Sequence, residues 1–281
     1  MANYTTADIK ALREKTGAGM LDVKKALEEA AGDQAKALEI IRVKGLKGLA
    51  KREGRSTSDG LVAAQVVTDE SGQIGVMIEL NSETDFVAKS EPFIALANQV
   101  LGAAAAVASE DLGIVLGSPL TSQKGTVQDQ IDNVSATVGE RIQLRRIAVV
   151  KGEHVEIYLH RTSPDLPPQV GVLLASDEVG AKVAHDIAMH IAAYSPVFLN
   201  REQVPEETVA AEKRIAEETA VAEGKNEKAI PRIVEGRLNG FFKDNVLLDQ
   251  AFAKDPKTTV GKLLAGVGGT VSGFARFRVG A

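Results

Sequence analysis

The chain has 281 residues, 44% hydrophobic and 25% charged, the make-up of a soluble globular protein with room for two or three domains. It contains no Cys, which excludes disulfides, thiolate metal sites and Cys nucleophiles. The formal charge of -5 is uneven: residues 1–55 hold 12 Lys and Arg against 8 Asp and Glu, a basic head on an acidic body. That balance argues for an acidic partner surface and against wholesale nucleic-acid binding. The first six residues lack the basic and apolar regions of a signal peptide. The most apolar run, 94–108, is broken by Asn98 and Gln99 and is too short to span a bilayer. A cytoplasmic protein without membrane contact is expected.

Residues 5–43 read as three short helices. Thr5 or Thr6 caps the first, which carries Ile9 and Leu12 and stops at Gly17. Met20, Val23, Leu27 and Ala30 share a face of the second, closed by Gly32. Asp33 opens the third, with Ala37, Leu38 and Ile41 inward. Helices this short hold only by packing together, so a small bundle is predicted. The loop Thr16-Gly17-Ala18-Gly19-Met20 follows no strand and matches no phosphate-binding pattern. It reads instead as a tight turn with Met20 and Leu21 at its rim. Residues 44–60 read as a basic linker, with Lys44, Lys47, Lys51, Arg52 and Arg55, ending in Ser56-Thr57-Ser58-Asp59-Gly60.

A hairpin follows, 61–68 and 74–80 about a turn at Asp69-Glu70-Ser71-Gly72. Ile74, Val76, Ile78 and Leu80 alternate as in a half-buried strand. The pattern then stops at Glu79-Leu80-Asn81-Ser82-Glu83-Thr84-Asp85-Phe86-Val87-Ala88-Lys89, where Glu83, Asp85, Phe86 and Lys89 are charged or aromatic. Phe86 either folds back under its own loop or projects toward a partner's pocket. Ser90 and Pro92 open a helix whose Phe93, Leu96, Ala97, Val100, Leu101, Ala104 and Val107 share one face. Residues 109–137 are mixed and weakly helical. Strand patterns return at 142–150, 155–159 and 170–175, and a helix at 178–193.

An internal repeat bears on Phe86. Ile74-Gly75-Val76-Met77-Ile78 is similar to Val170-Gly171-Val172-Leu173-Leu174, and each leads into an apolar helix. The second copy reaches its helix within a few residues, whereas the first spends about ten and includes Thr84-Asp85-Phe86-Val87. A fold whose twin omits this extension does not need it, which favours projection of Phe86. Further on, 202–242 reads as an inserted antiparallel helical hairpin, turned at Glu223-Gly224-Lys225-Asn226, that could serve self-association or a partner. A short helix at 259–264 and a strand at 271–279, completing the second sheet, end the chain.

Chemistry is sparse. His185 and His190, five apart on a helix, cannot share a metal as an i,i+4 pair would. His160, before a Pro-rich loop, is either a contact residue or a solvated strand end. No nucleophile motif, His–carboxylate pairing or nucleotide site stands out, which disfavours a small-molecule enzyme.

Two stretches carry a resemblance: Thr84-Asp85-Phe86-Val87-Ala88-Lys89 after a strand, and Leu12-Arg13-Glu14-Lys15-Thr16-Gly17-Ala18-Gly19-Met20-Leu21-Asp22-Val23-Lys24-Lys25-Ala26-Leu27. The chain closely resembles the translation elongation factor Ts family, the exchange factors of the GTPase elongation factor Tu. The similarity extends to Gly139-Glu140 with Arg145-Arg146, Ile187-Ala188-Met189-His190 and Val234-Glu235-Gly236-Arg237. It implies an α+β fold: a ubiquitin-associated-like (UBA-like) three-helix domain with the basic linker in 1–55, and two related α+β subdomains with antiparallel sheets in 56–140 and 141–281. The hairpin 202–242 would be inserted in the second.

The resemblance also implies roles. Asp85 and Phe86, within Thr84–Val87, would enter the GTPase beside its switch II helix and disturb the Mg²⁺ and phosphate groups. Arg13, Met20, Leu21 and Lys24 would grip the GTPase domain, and Val138, Gly139 and His160 match further contact positions. No cofactor or metal of its own is implied. The family's long form continues past the last strand, so contacts made by that module are in doubt here. Ser82 stands where the family often has Cys, a minor departure. The rival expectation is a non-catalytic adaptor or chaperone that binds through the N-terminal bundle.

Overall fold

The computed structural model describes residues 3–70, 72–120 and 125–281. Met1, Ala2, Ser71 of the expected turn and 121–124 of the mixed stretch lie outside them. The N-terminal bundle is α1 (Thr6–Thr16), α2 (Met20–Glu29) and α3 (Gln34–Lys47). Thr5 and Asp8 form a reciprocal capping box, and Gly17 ends α1 with φ 71°. Leu12, Val23, Leu27, Ala37 and Ile41 make its core.

The basic stretch expected as a linker is largely helical instead. α3 runs on through Lys44 and Lys47, and α4 (Leu49–Arg52) follows. The physical reason is a close helix crossing. Gly45 lies so near the carbonyl of Ala136 on α8 (Val127–Val138) that a Cβ there would stand 1.8 Å from its oxygen. Arg52 supports the crossing by donating to the carbonyls of Gly45 and Ser135 at 3.3 and 3.4 Å.

Two antiparallel sheets form the body. The first orders β1 (Asp59–Asp69), β2 (Gly72–Ser82) and β3 (Gln143–Gly152); the second orders β4 (His154–His160), β5 (Val170–Ser176) and β8 (Val271–Arg278). The single turn α5 (Asp85–Ala88) follows β2. α6 (Glu91–Val107), α7 (Leu112–Gly117) and α8 pack outside the first sheet, and α9 (Ala181–Tyr194) outside the second. A boundary at 140/141 would assign β3 to the second half. Instead β3 pairs with β2 from Gln73 to Asn81, because its Leu144 and Ile147 belong to the core beneath α6.

β2 is also not half-buried. Val76, Ile78 and Leu80 face the helices, while Met77 joins Val62, Val155, Leu173 and Phe277 between the two sheets. The repeat glycines explain this packing. A Cβ on Gly75 would meet Leu173, and one on Gly171 would meet Met77 and Val62 at 2.8 and 2.5 Å. Each copy of the repeat therefore leaves a gap for the other copy's large side chain.

The hairpin is present as α10 (Glu206–Ala222) and α11 (Ile230–Asn245), with Pro231 in the first turn of the return arm. A small ribbon of β6 (Ala251–Phe252) and β7 (Asp255–Thr259) was not legible in the sequence. α12 (Val260–Val267) and β8 complete the body.

Candidate functional site

The site begins where β2 ends. Thr84 adopts extended backbone and caps α5, its hydroxyl accepting from the Val87 N–H at 3.4 Å. Glu140, just beyond α8, takes two hydrogen bonds from Thr84: N–H to Oε2 at 3.0 Å and Oγ1 to Oε1 at 2.6 Å. Burial raises the Glu140 pKa, against which the Thr84 hydrogen bonds act. Glu83 answers in the other direction, accepting the Arg141 N–H at 2.7 Å and pairing with Arg55 at 3.3 Å.

α5 then divides its side chains. Val87 and Ala88 are buried in the core shared with α6. Asp85 and Phe86 face out, and the Phe86 ring is 39% exposed. Of the four residues expected to meet a partner, Val87 is thus an internal anchor, and the Thr84 hydroxyl is engaged within the chain. Asp85 lies 3.4 Å from Lys89, and its charge adds to burial in raising the Asp59 pKa. Arg13 of α1 places its guanidinium over the Phe86 ring, 4.3 Å from the centroid. The two sequence stretches singled out above meet at that contact.

The remaining expected residues are less uniform. Met20 and Leu21 open α2 and are 57% and 62% exposed. Lys24 is exposed, 4.0 Å from Glu28. Val138 is buried instead, its Cγ1 against Gly17, so its side chain is occupied by bundle docking. Gly139 ends α8 at φ 83° and turns the chain toward Glu140. His160 is exposed at the end of β4, with Nδ1 3.2 Å from the Tyr158 hydroxyl. Neighbouring Arg161 lines the same 330 Å³ cleft as Lys89, which brings that strand end toward α5.

Sequence reading missed the contacts of Glu140 and Glu83, since partners 56 and 58 residues apart leave no periodic signal. It also missed the burial of Glu79. That carboxylate is fully buried, paired with Arg146 at 2.6 Å, and accepts from Asn81 and from the Gly280 N–H, each at 3.1 Å.

A family model described as Elongation factor TS matches residues 83–281. Curated relatives named Elongation factor Ts from Beutenbergia cavernae, Micrococcus luteus and Kineococcus radiotolerans are 64%, 62% and 60% identical, each aligned over all of both chains. The chain belongs to the elongation factor Ts family. It is accordingly a translation elongation factor.

Two histidines of this Ts-family chain, His190 and His185, have partners within the chain. His190 is buried, its Nε2 2.8 Å from Gln250 Oε1 and its Nδ1 accepting the Ala253 N–H at 3.2 Å. Burial lowers its pKa. His185 does have a carboxylate partner that the sequence hid, Glu156 at 2.7 Å. Among the described residues, no helix is long and apolar enough to cross a membrane.

Proposed function

We propose that this elongation factor is a guanine nucleotide exchange factor for elongation factor Tu, acting without covalent chemistry of its own. The observation that carries the reading is the division of α5, in which Asp85 and Phe86 face out, Phe86 39% exposed, between clamped Thr84 and buried Val87. Asp85 and Phe86 would enter beside the switch II helix and upset the Mg²⁺ and phosphate groups. Exposed Met20, Leu21 and Lys24, with Arg13, would grip the GTPase domain, and Gly139 and His160 would add flanking contacts. Residues 1–55, 56–140 and 141–281 would act as grip, wedge and support, with β3 counted in the wedge.

By linkage, a factor that prefers the empty GTPase must weaken nucleotide binding by the same ratio. Full burial of a Phe is worth roughly 1.5–3 kcal/mol, or roughly 10- to 150-fold in rate if expressed only in the releasing geometry. Phe86 is already partly covered, so capping it in place yields about 1 kcal/mol, or about fivefold. Larger acceleration requires the ring to leave Arg13 or the Mg²⁺ site to be disturbed.

Release of labelled GDP from elongation factor Tu tests the reading. Wild-type protein should accelerate release, and Phe86→Ala should bind the GTPase yet accelerate it little. Wild-type rates from Phe86→Ala would refute the role of the ring. Equal binding with and without GDP, and no acceleration, would favour the adaptor reading.

A further inference from the structure

A single helical turn has almost no stability of its own, so the direction of α5 must be imposed from outside. Its inner side is held by Val87 and Ala88 in the core. Its entry is held at Thr84 by two side chains: Ser82, whose hydroxyl donates to the Thr84 carbonyl at 3.0 Å, and Glu140, the one that reaches it from another element. We propose that Glu140 is the positioning residue of the Phe86 turn: by binding the backbone and hydroxyl of Thr84 together, it sets the direction in which the ring leaves the molecule. The inference rests on the exchange reading above.

Glu140 is itself well placed to act as a fixed post. Gly139, with φ 83°, ends α8 and aims the chain at it, and the Ser135 hydroxyl donates to its carbonyl. The next residue, Arg141, is pinned by its N–H on Glu83 at 2.7 Å and by its guanidinium on the Arg55 carbonyl at 2.6 Å. Residues 83–84 and 140–141 thus exchange side-chain-to-backbone hydrogen bonds in both directions. Such a reciprocal pair resists rotation of either segment, which one bond would not. It also joins the turn that carries Phe86 to Gly139.

What the clamp requires is geometry rather than charge. Burial raises the pKa of Glu140, so ionisation is disfavoured there and the two Thr84 contacts offset that effect. A glutamine can reproduce both contacts, its Oε1 accepting the Thr84 N–H and its Nε2 donating to Thr84 Oγ1. Alanine reproduces neither.

GDP release from elongation factor Tu is measured for the full-length wild type, Phe86→Ala, Glu140→Ala, Glu140→Gln and the double variant Phe86→Ala/Glu140→Ala, each checked by thermal unfolding. Glu140→Ala should lower the maximal release rate about tenfold while changing the half-saturating concentration less than about twofold, because the grip residues are untouched. Glu140→Gln should return close to wild type. The double variant should be no slower than Phe86→Ala alone, since Glu140 acts through that ring. If Glu140→Ala does not fold, Thr84→Val, which removes the hydroxyl half of the clamp, is read against Thr84→Ser, which keeps both that contact and the cap on the Val87 N–H: the first should lower the maximal rate about threefold and the second should leave it near wild type. An active wild type with an equally active Glu140→Ala, or losses that multiply in the double variant, overturns the positioning role alone. A wild type that does not accelerate release overturns the exchange reading and this inference with it.

Discussion

At Phe86 a ring is held by the face of one guanidinium, whereas the next side chain, Val87, is 1% exposed and packed beneath α6. The energetics of the two positions should differ accordingly. Phe86 is 39% exposed, so the covered part of its ring together with the cation–π contact puts Phe86→Ala at about 1–1.5 kcal/mol of stability. Val87→Ala leaves a void in close-packed surroundings and should cost about 2 kcal/mol. Urea unfolding of both variants checks this. A larger loss at Phe86 than at Val87 would mean that the ring serves the fold. The sequence fell short here: it marked 84–87 as one unit, whereas the turn sends successive side chains to opposite sides.

At the level of elements, α9 is joined to the β6–β7 ribbon through His190. With Nδ1 accepting the Ala253 N–H and Nε2 facing Gln250 Oε1, the ring must be the neutral Nε2–H tautomer. Its folded pKa is lowered by burial, whereas an unfolded His titrates near its usual value of about 6.5. The stabilisation is therefore complete above about pH 6.5 and is lost as the pH falls below it, since the unfolded chain then binds the extra proton. Stability should fall between pH 7 and pH 5.5 more steeply for the wild type than for His190→Asn, whose amide oxygen can still accept from Ala253. Parallel pH profiles would show that His190 does not titrate differently on folding. The helical face of α9 was legible from periodicity, but the ribbon against it was not, because a two-residue strand has no period to read.

Across the whole molecule, two sheets are locked face to face by the repeat glycines and by Glu79. That carboxylate, on β2, accepts from Gly280 just past β8, and its partner Arg146 donates to the Arg278 carbonyl at 2.9 Å and stacks on Phe277 at 4.4 Å. Arg145 stands 3.9 Å away as a second cation. Arg146 is 34% exposed and keeps its bond to Arg278, so Glu79→Ala chiefly leaves the Asn81 and Gly280 donors unmatched and should cost about 1–3 kcal/mol. Chemical denaturation should also show whether the two sheets then separate in successive transitions. An unchanged midpoint would mean that packing between the sheets alone joins them.

The sequence by itself determined the helical bundle, the hairpin, the repeated strand and the two family stretches. Each is written locally, in a cap, a period of 3.6 or 2, or a contiguous run of residues. Tertiary structure alone decided that β3 joins the first sheet, that the basic stretch after Ile41 continues as helix against α8, and that Glu140 reaches Thr84. Periodicity states that a face will be covered but not by what. The covering groups lie 56 to 201 residues away, and only the closing of the chain brings them within hydrogen-bond distance.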